Sequence, residues 1–310
     1  MYSGSKAFFY ALSRSVALRR LASKYGLATK ESFARRFIAG ESIEEAIECA
    51  RTIQSQGMLL TLDYLGESVR TLEEATAATR EYIRLMEVIV GSGIERNISL
   101  KLTQLGVDVD RATCIDNLRR ILDPGARHGF FVRIDMENSP YTEVTLEIFE
   151  TLWQQEYRNV GVALQAYLHR TEQDVRRMNE LGARVRLVKG AYKEPASVAY
   201  QHKAEVDAAY IRLARLLLDE GAYPAFGTHD PALLVQVRTH SLERHIAEDR
   251  FEFQMLYGIR RDLQRSLLAE GCRMRVYVPF GRQWFPYFMR RLGERPENVA
   301  FVLRSLLRER

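Results

Sequence analysis

Eight short strand-like segments, each followed by a longer helical one, dominate the sequence from residue 58 onward. In order they read LLTLDYLG, NISLKL, FFVRIDME, NVGVALQAY, RVRLVKGAY, YPAFGTHD, FEFQMLYG and MRVYVPFG. Regular alternation of strand and helix is typical of a parallel sheet, because parallel neighbours need a long crossover connection. Eight such units predict an α/β fold, a closed (β/α)8 barrel that occupies residues 56–310.

The first part of the chain, residues 1–55, shows helical spacing without strand signals. Phe8, Leu12 and Val16 recur every four positions, and a second amphipathic stretch covers residues 42–53. We therefore predict an N-terminal helical arm. Its basic residues could favour an anionic membrane surface, although a solvated face on a helix packed against the barrel explains the same pattern more simply.

Charge and composition weigh against several classes of function. The 45 basic and 40 acidic residues leave a net charge of +5 without basic runs, so nucleic-acid binding is not expected. The three scattered cysteines suit neither a disulfide framework nor a zinc site, and the six histidines lack metal-ligand spacing. Because no apolar run approaches the roughly 20 residues that span a bilayer, we expect a cytoplasmic protein, free or peripheral on the inner face of the cytoplasmic membrane.

The parity of each strand places polar side chains inside the barrel. Neighbouring side chains on a strand point to opposite faces, and the apolar parity should face the helices. In the third segment Val132 and Ile134 take that parity, which turns Asp135 inward. The full predicted inward set is Thr61, Asp63, Lys101, Arg133, Asp135, Glu137, Gln165, Tyr167, Arg184, Arg186, Gln254, Arg275 and Tyr277.

So many inward charges need a reason, because barrel interiors are usually filled by branched apolar side chains. A purely structural ion network is one explanation and stays open. It does not explain why several of these residues lie toward the carboxyl ends of their strands, where barrel enzymes carry their active sites. We interpret five of them as lining a site: Lys101, Asp135, Gln165, Arg186 and Tyr277.

The last predicted helix, WFPYFMRRLGER, carries two adjacent arginines. Tyr287, Arg290, Arg291 and Glu294 share one broad helical face. Two guanidinium groups present planar forks of donors that suit a carboxylate or a phosphate, and Glu294 could orient one of them. A solvated basic helix end is the alternative, but the flanking aromatic residues weigh against it. The segment therefore predicts a substrate that carries an anion.

Eight segments, taken together in order and spacing, resemble the proline dehydrogenase family over roughly residues 58–302. They are NISLKLTQLG, VRIDMENS, VALQAYLHR, VRLVKGAYKE, FGTHD, FEFQMLYG, VYVPFG and YFMRRLGERPENVAF. Each piece alone is a weak signal, whereas the combination is specific. The resemblance implies FAD-dependent oxidation of L-proline to Δ1-pyrroline-5-carboxylate by hydride transfer, with electrons passed to a membrane quinone, as the first step of proline degradation to glutamate.

The resemblance also assigns roles around the substrate. Arg290 and Arg291 match the family's carboxylate-binding pair, and Lys101 joins them with Asp135 as its partner. Tyr277 matches the tyrosine packed over the pyrrolidine ring. The implied substrate-binding set is Lys101, Leu256, Tyr277, Tyr287, Arg290 and Arg291, and the implied catalytic set is Lys101, Asp135, Arg186 and Tyr277.

A flavin site is implied by the resemblance alone, because the sequence has neither a GxGxxG fingerprint nor a GxxxxGK[ST] loop. A cation or an amide near the flavin ring would stabilise the charge of the reduced form, and Arg186 matches a residue at the N5 edge. Gly190 would allow close backbone approach, whereas His229 could equally be a structural donor. The implied FAD-binding set is Gln165, Arg186, Val188, Lys189, Gly190, Ala191, Thr228 and His229.

Two departures from the family pattern limit this transfer. Large bifunctional relatives read GAYW where Lys193 follows Tyr192 here, so an aromatic contact to the flavin at that position is in doubt. The 310 residues leave no room for an aldehyde dehydrogenase domain, so we expect the product to pass, after hydrolysis, to a separate glutamate semialdehyde dehydrogenase. Two other functions stay open, a Schiff-base aldolase using Lys101 or Lys189 and a non-catalytic amino-acid-binding barrel.

Overall fold

Eight parallel strands close into one barrel, in chain order from β1 to β8. The computed structural model describes residues 33–66 and 68–294, with side chains described as far as Met289. The strands are β1 (Leu59–Tyr64), β2 (Asn97–Leu100), β3 (Phe131–Ile134), β4 (Val160–Gln165), β5 (Val185–Val188), β6 (Ala225–Gly227), β7 (Glu252–Leu256) and β8 (Met274–Phe280). The predicted α/β class and the eight-stranded barrel are confirmed.

Within the described residues, an α-helix precedes β1, and one α-helix follows each of the eight strands. They are α1 (Ile43–Ser55), α2 (Leu72–Ser92), α3 (Arg111–Arg127), α4 (Thr142–Gln154), α5 (Thr171–Glu180), α6 (Lys203–Glu220), α7 (Pro231–Glu243), α8 (Arg261–Ala269) and α9 (Trp284–Glu294). Side-chain caps start several of them: Ser42 and Glu45 form a capping box on α1, and Asp110 accepts from the Thr113 backbone on α3. None of the helices in these described ranges is both long and apolar enough to cross a bilayer.

The main core lies between the outer face of the strands and the helices. Ile98 pairs with Val132, and Leu100 with Ile134, in the register of β2 and β3, and all four are fully buried. Because pairing in register keeps one parity on one face, the alternate residues point into the barrel, where Ser99 lies opposite a buried arginine of β3. The parity predicted from the sequence is therefore confirmed along these strands.

Two residues predicted to point inward do not join the interior, because pleat alternation ends with the strand. Glu137, three positions past β3, bonds to the backbone and hydroxyl of Thr103. Tyr167, two positions past β4, packs in a small separate cluster beyond the strand end. At these two positions the inward prediction is wrong. Arg184, just before β5, is exposed and lies 5.0 Å from the ring of Phe131, which shares the parity of Arg133 on β3, so its inward direction stays a prediction.

Helix α1 packs directly against the barrel. Its apolar face, from Ile43 to Ile53, is buried in the main core, and it contacts β1, β8 and α2. Residues 1–32, which hold most of the predicted helical arm, lie outside the described residues. The arm and its boundary at residue 55 therefore remain predictions.

The residues before α1 pack closely against Gly258, in the loop after β7. It follows β7 with a φ of +75°, and a Cβ there would collide with the carbonyl oxygen of Arg36. We expect Gly258→Ala to lower the free energy of unfolding by about 2–3 kcal/mol, since it adds both backbone strain and a clash. Gly271→Ala is the matched control for urea unfolding: φ is +84° there but no atom lies within 4 Å, so about 1 kcal/mol is expected. Equal losses of unfolding free energy in the two variants would contradict close packing at Gly258.

Candidate active site

Polar side chains from six strands meet inside the barrel, toward the carboxyl ends of the strands. We call this set the polar ring; its members are Asp63, Ser99, Lys101, Asp135, Arg186, Gln254 and Tyr277. The register explains why they meet, since Asp63 pairs with Ser99, and Thr61, two residues before Asp63, pairs with Tyr277. Four members, Lys101, Asp135, Arg186 and Tyr277, belong to the predicted catalytic set.

Lys101 lies between two carboxylates. Its Nζ is 3.2 Å from Asp63 Oδ1, 3.2 Å from Asp135 Oδ2 and 3.5 Å from the hydroxyl of Tyr277. Burial alone would lower the pKa of Lys101, but the neighbouring acidic groups, Asp63 foremost, outweigh it and hold that pKa well above its ordinary value. Lys101 is therefore a cation, which suits an anionic substrate. A Schiff-base lysine instead needs a neutral amine.

Asp135 accepts hydrogen bonds from three side chains. Arg186 donates to it at 2.5 Å, Tyr277 at 2.6 Å and Lys101 at 3.2 Å. Burial favours the neutral acid, yet the cations of Lys101 and Arg186 prevail and hold the pKa of Asp135 below its ordinary value. The structure thus places Asp135 in contact with Lys101, as the sequence predicts, and gives it two further partners.

Arg186 is fixed by residues of other strands. Its Nε donates to Gln254 Oε1 at 2.5 Å, and one terminal nitrogen donates to Ser99 Oγ at 2.9 Å, in addition to the bond with Asp135. The guanidinium lies 5.3 Å from the ring centroid of Tyr277. A planar group held at three nitrogens has one orientation. Ser99 and Gln254 are absent from the predicted site, although strand parity points both of them inward.

A buried ion pair lies one layer below the polar ring. Arg275 donates to both carboxylate oxygens of Glu252, at 2.6 and 2.9 Å, and also to Glu95 at 2.6 Å. Gln254 donates its amide N–H to Glu252 and so links this pair to the polar ring. Within the polar ring, Lys101 and Asp135 are the more accessible charged groups, at 12% and 13% side-chain exposure, whereas Glu252 is 2% exposed. We interpret the lower pair as a structural ion network and the polar ring as the layer that a substrate can reach.

The residues predicted to hold a flavin lie at the ends of β4, β5 and β6. Gln165 ends β4, is buried, and donates to the Glu137 carbonyl at 2.8 Å. Val188 ends β5, and Val188, Lys189 and Gly190 are half-buried, whereas Ala191 is exposed. Thr228 follows β6 and is buried. These groups and the polar ring share one end of the barrel.

Two of these predicted flavin residues, Lys189 and His229, have side-chain nitrogens engaged by partners within the chain. The ammonium of Lys189 forms salt bridges with Asp207 at 2.5 Å and Asp230 at 2.9 Å. His229 Nε2 accepts a hydrogen bond from the Leu256 backbone at 2.9 Å, which gives it a structural role.

At Gly190, φ is +116°, and the ring of Tyr167 occupies the space that a Cβ would take. The chain itself therefore requires glycine at this position, whatever else binds there.

The last helix, α9, is seated beside Leu256 at the end of β7. Leu256 is half-buried and packs against an apolar cluster in which Tyr287 is buried. Trp284 donates its indole N–H to Glu41 at 2.8 Å, which ties α9 to residues near the start of the described chain. The side chains of Arg290 and Arg291 lie outside the described residues, so the predicted carboxylate-binding pair remains a prediction.

Comparison with known proteins gives full-length relatives. The family model described as proline dehydrogenase matches residues 46–304. The chain is 40% identical over 305 residues to proline dehydrogenase 2 of Bacillus subtilis, covering 98% of this chain and 99% of that protein. The chain belongs to the proline dehydrogenase family. Proline dehydrogenase of Deinococcus radiodurans is 42% identical over 281 residues, covering 89% of this chain and 91% of that protein.

A solved structure shares the barrel of this proline dehydrogenase family member. It is proline utilization A from Bdellovibrio bacteriovorus inactivated by N-propargylglycine, with a TM-score of 0.79 and 29% sequence identity over 84% of this chain. The aligned part is 32% of that longer chain, so this chain spans about a third of it. The fold and the family predicted from the sequence are both confirmed.

Proposed function

We propose that this chain oxidises L-proline to Δ1-pyrroline-5-carboxylate with FAD as the hydride acceptor, as the first step of proline degradation to glutamate. One observation carries the proposal: a lysine held as a cation between Asp63 and Asp135 lies beside the fixed guanidinium of Arg186, on the accessible end of the barrel. In a member of the proline dehydrogenase family, this arrangement suits an amino acid whose carboxylate needs a cationic partner.

The donor set at the barrel mouth fits a flavin. Arg186 offers a guanidinium of fixed orientation, Gln165 offers a buried amide, and the polar groups after β5 and β6 surround them. A cation and an amide stabilise the negative charge of a reduced isoalloxazine ring. When bound, FAD would supply the two-electron acceptor, with Val188 to Ala191, Thr228 and His229 along its length.

The chain's own residues bind and orient the substrate. Lys101 attracts the substrate carboxylate, and the predicted Arg290 and Arg291 would share that charge from α9. Tyr277 lies beside Lys101, with its hydroxyl oxygen 3.5 Å from Lys101 Nζ, and its ring would pack against the substrate. Because the polar ring is largely shielded from water, it favours the neutral amine of bound proline, whose lone pair assists departure of hydride from C5. Lys101 acts by position and charge, without forming a bond to the substrate.

The partners and the location of the protein follow from this proposed reaction. Electrons leave through a membrane quinone, which places the protein in the cytoplasm or on the inner face of the cytoplasmic membrane. A separate dehydrogenase then consumes glutamate semialdehyde, the hydrolysis product. The Schiff-base aldolase is the weaker candidate, because Lys101 is held as an ammonium by Asp63 and Asp135.

The visible spectrum of the purified protein tests the proposal. We expect the two absorption bands of an oxidised flavin, their loss when L-proline is added without oxygen, and their return with a soluble quinone. The cofactor released by heat should be FAD and not FMN. A colourless protein, or a flavin that proline leaves oxidised, would contradict the proposed function. A lysine adduct trapped by borohydride with a carbonyl substrate would instead support the aldolase.

A further inference from the structure

Asp63 is a buried acid to which the family resemblance assigns no role. It lies on β1, its side chain is 1% exposed, and its two oxygens are 3.2 and 3.5 Å from the Nζ of Lys101. Asp135 lies on the other side of the same ammonium, 3.2 Å from it. Lys101 is thus held from two strands, β1 and the end of β3.

The two carboxylates differ in what else they bind. Asp135 accepts short hydrogen bonds from Arg186 and Tyr277, at 2.5 and 2.6 Å, and so has two strong partners besides Lys101. Asp63 accepts from Lys101 at 3.2 Å and also has the hydroxyl of Tyr277 as a hydrogen-bonding neighbour. Lys101 and Tyr277 share one oxygen of Asp135, whereas both oxygens of Asp63 lie within 3.5 Å of the Lys101 ammonium. The position of Lys101 therefore depends on Asp63 more than on Asp135.

We propose that Asp63 is a positioning residue of the active site, which keeps Lys101 protonated and centred in the polar ring so that it can bind the substrate carboxylate. The inference rests on the proposed function of proline oxidation. Asp63 acts through Lys101 and is not assigned a contact with the substrate.

The charged and titratable groups around Lys101 agree with this role. They are Asp63 from β1, Asp135 after β3, Arg186 from β5, Tyr277 from β8 and Tyr82 from α2. Burial pushes the pKa of Lys101 down, and among the groups that push it up Asp63 is the strongest. Burial also raises the pKa of Asp63 itself, and Lys101 offsets part of that rise. Removal of Asp63 should therefore lower the pKa of Lys101.

Asp63→Asn tests the inference in a dye-linked assay of proline oxidation. We expect kcat/KM at about pH 8 to fall about tenfold or more, mainly through KM, because a tenfold loss matches the weakening of one charged contact. The alkaline limb of the kcat/KM profile should move to lower pH. Thr61→Val is the matched control, because Thr61 is a fully buried residue of the same strand whose hydroxyl is hydrogen-bonded to Ser99. This variant should keep the wild-type dependence of kcat/KM on pH.

A double variant separates this role from a general effect of changing a buried residue. In a Lys101→Met background, Asp63→Asn should cost no further activity. It should also raise Tm, because it removes a buried carboxylate left without its lysine. An equal loss of kcat/KM in both backgrounds, or a wild-type pH profile for Asp63→Asn, would overturn the inference. Wild-type protein that fails to oxidise proline would instead refute the proposed function, so the two failures are distinguishable.

Discussion

Lys101→Met is expected to lower kcat/KM for proline by about 100-fold or more, in line with the cost of removing one partner from a buried charge pair. The substitution keeps the length of the side chain and removes its charge. It leaves Asp63 and Asp135 facing each other without a cation between them, and this negative site repels the substrate carboxylate. Steady-state kinetics with proline and an artificial acceptor would show the loss mainly as a raised KM.

Lys203→Met provides the control for this loss of a lysine. Lys203 also contacts two aspartates, Asp207 and Asp230, but its side chain is 75% exposed on α6. Exposed ion pairs contribute little, so its kcat/KM should stay within about twofold of the wild-type value. If Lys101→Met retained full turnover and substrate affinity, Lys101 would have no role in binding the substrate.

Arg275→Met is expected to lower the free energy of unfolding by about 3–5 kcal/mol, since it leaves a buried carboxylate without its partner. Glu252 is the carboxylate concerned, at 2% exposure, and Glu95 loses a bond as well. Urea unfolding of the variant measures the loss. Glu252→Gln in the same background should restore part of it, because the stranded charge is gone. A loss below about 1 kcal/mol would mean that the pair is no stronger than one at the surface.

The loss of unfolding free energy caused by Arg275→Met should become smaller at low pH. In the folded protein burial would raise the pKa of Glu252, but Arg275 outweighs burial and holds it below the ordinary value of 4.5. A carboxyl group with a depressed pKa stabilises the fold above its unfolded pKa, and that contribution disappears as pH falls through the folded pKa. The stability difference between wild type and variant should therefore narrow as pH is lowered below 4.5. A difference that widens there would contradict this account.

Strand parity is the reason why the polar ring could be predicted from the sequence. In a closed barrel the alternation of side chains and the register between strands decide together what faces the axis. Lys101 and Asp135 lie only one residue past their strands, so alternation still places them correctly. Glu137 and Tyr167 lie further out, where the backbone turns, and alternation misplaces them.

Contacts between distant parts of the chain could not be predicted in this way. The bond from Trp284 to Glu41 joins residues 243 positions apart, and no local pattern indicates it. No local pattern predicts that the ring of Tyr167 packs against Gly190 either, because the two residues lie in different loops. Strand parity predicts that Gln254 faces inward, but its amide bridge between Arg186 and Glu252 joins two strands that are not neighbours, β5 and β7.

A crystal structure with a bound proline analogue tests the central claim most directly. The analogue should be a saturated five-membered ring with a carboxylate and without an oxidisable amine. We predict its carboxylate within hydrogen-bond reach of Lys101 Nζ, its ring against Tyr277, and the flavin ring beside Arg186. An analogue bound outside the barrel, or a flavin remote from Arg186, would contradict the assignment of the polar ring as the site of proline oxidation.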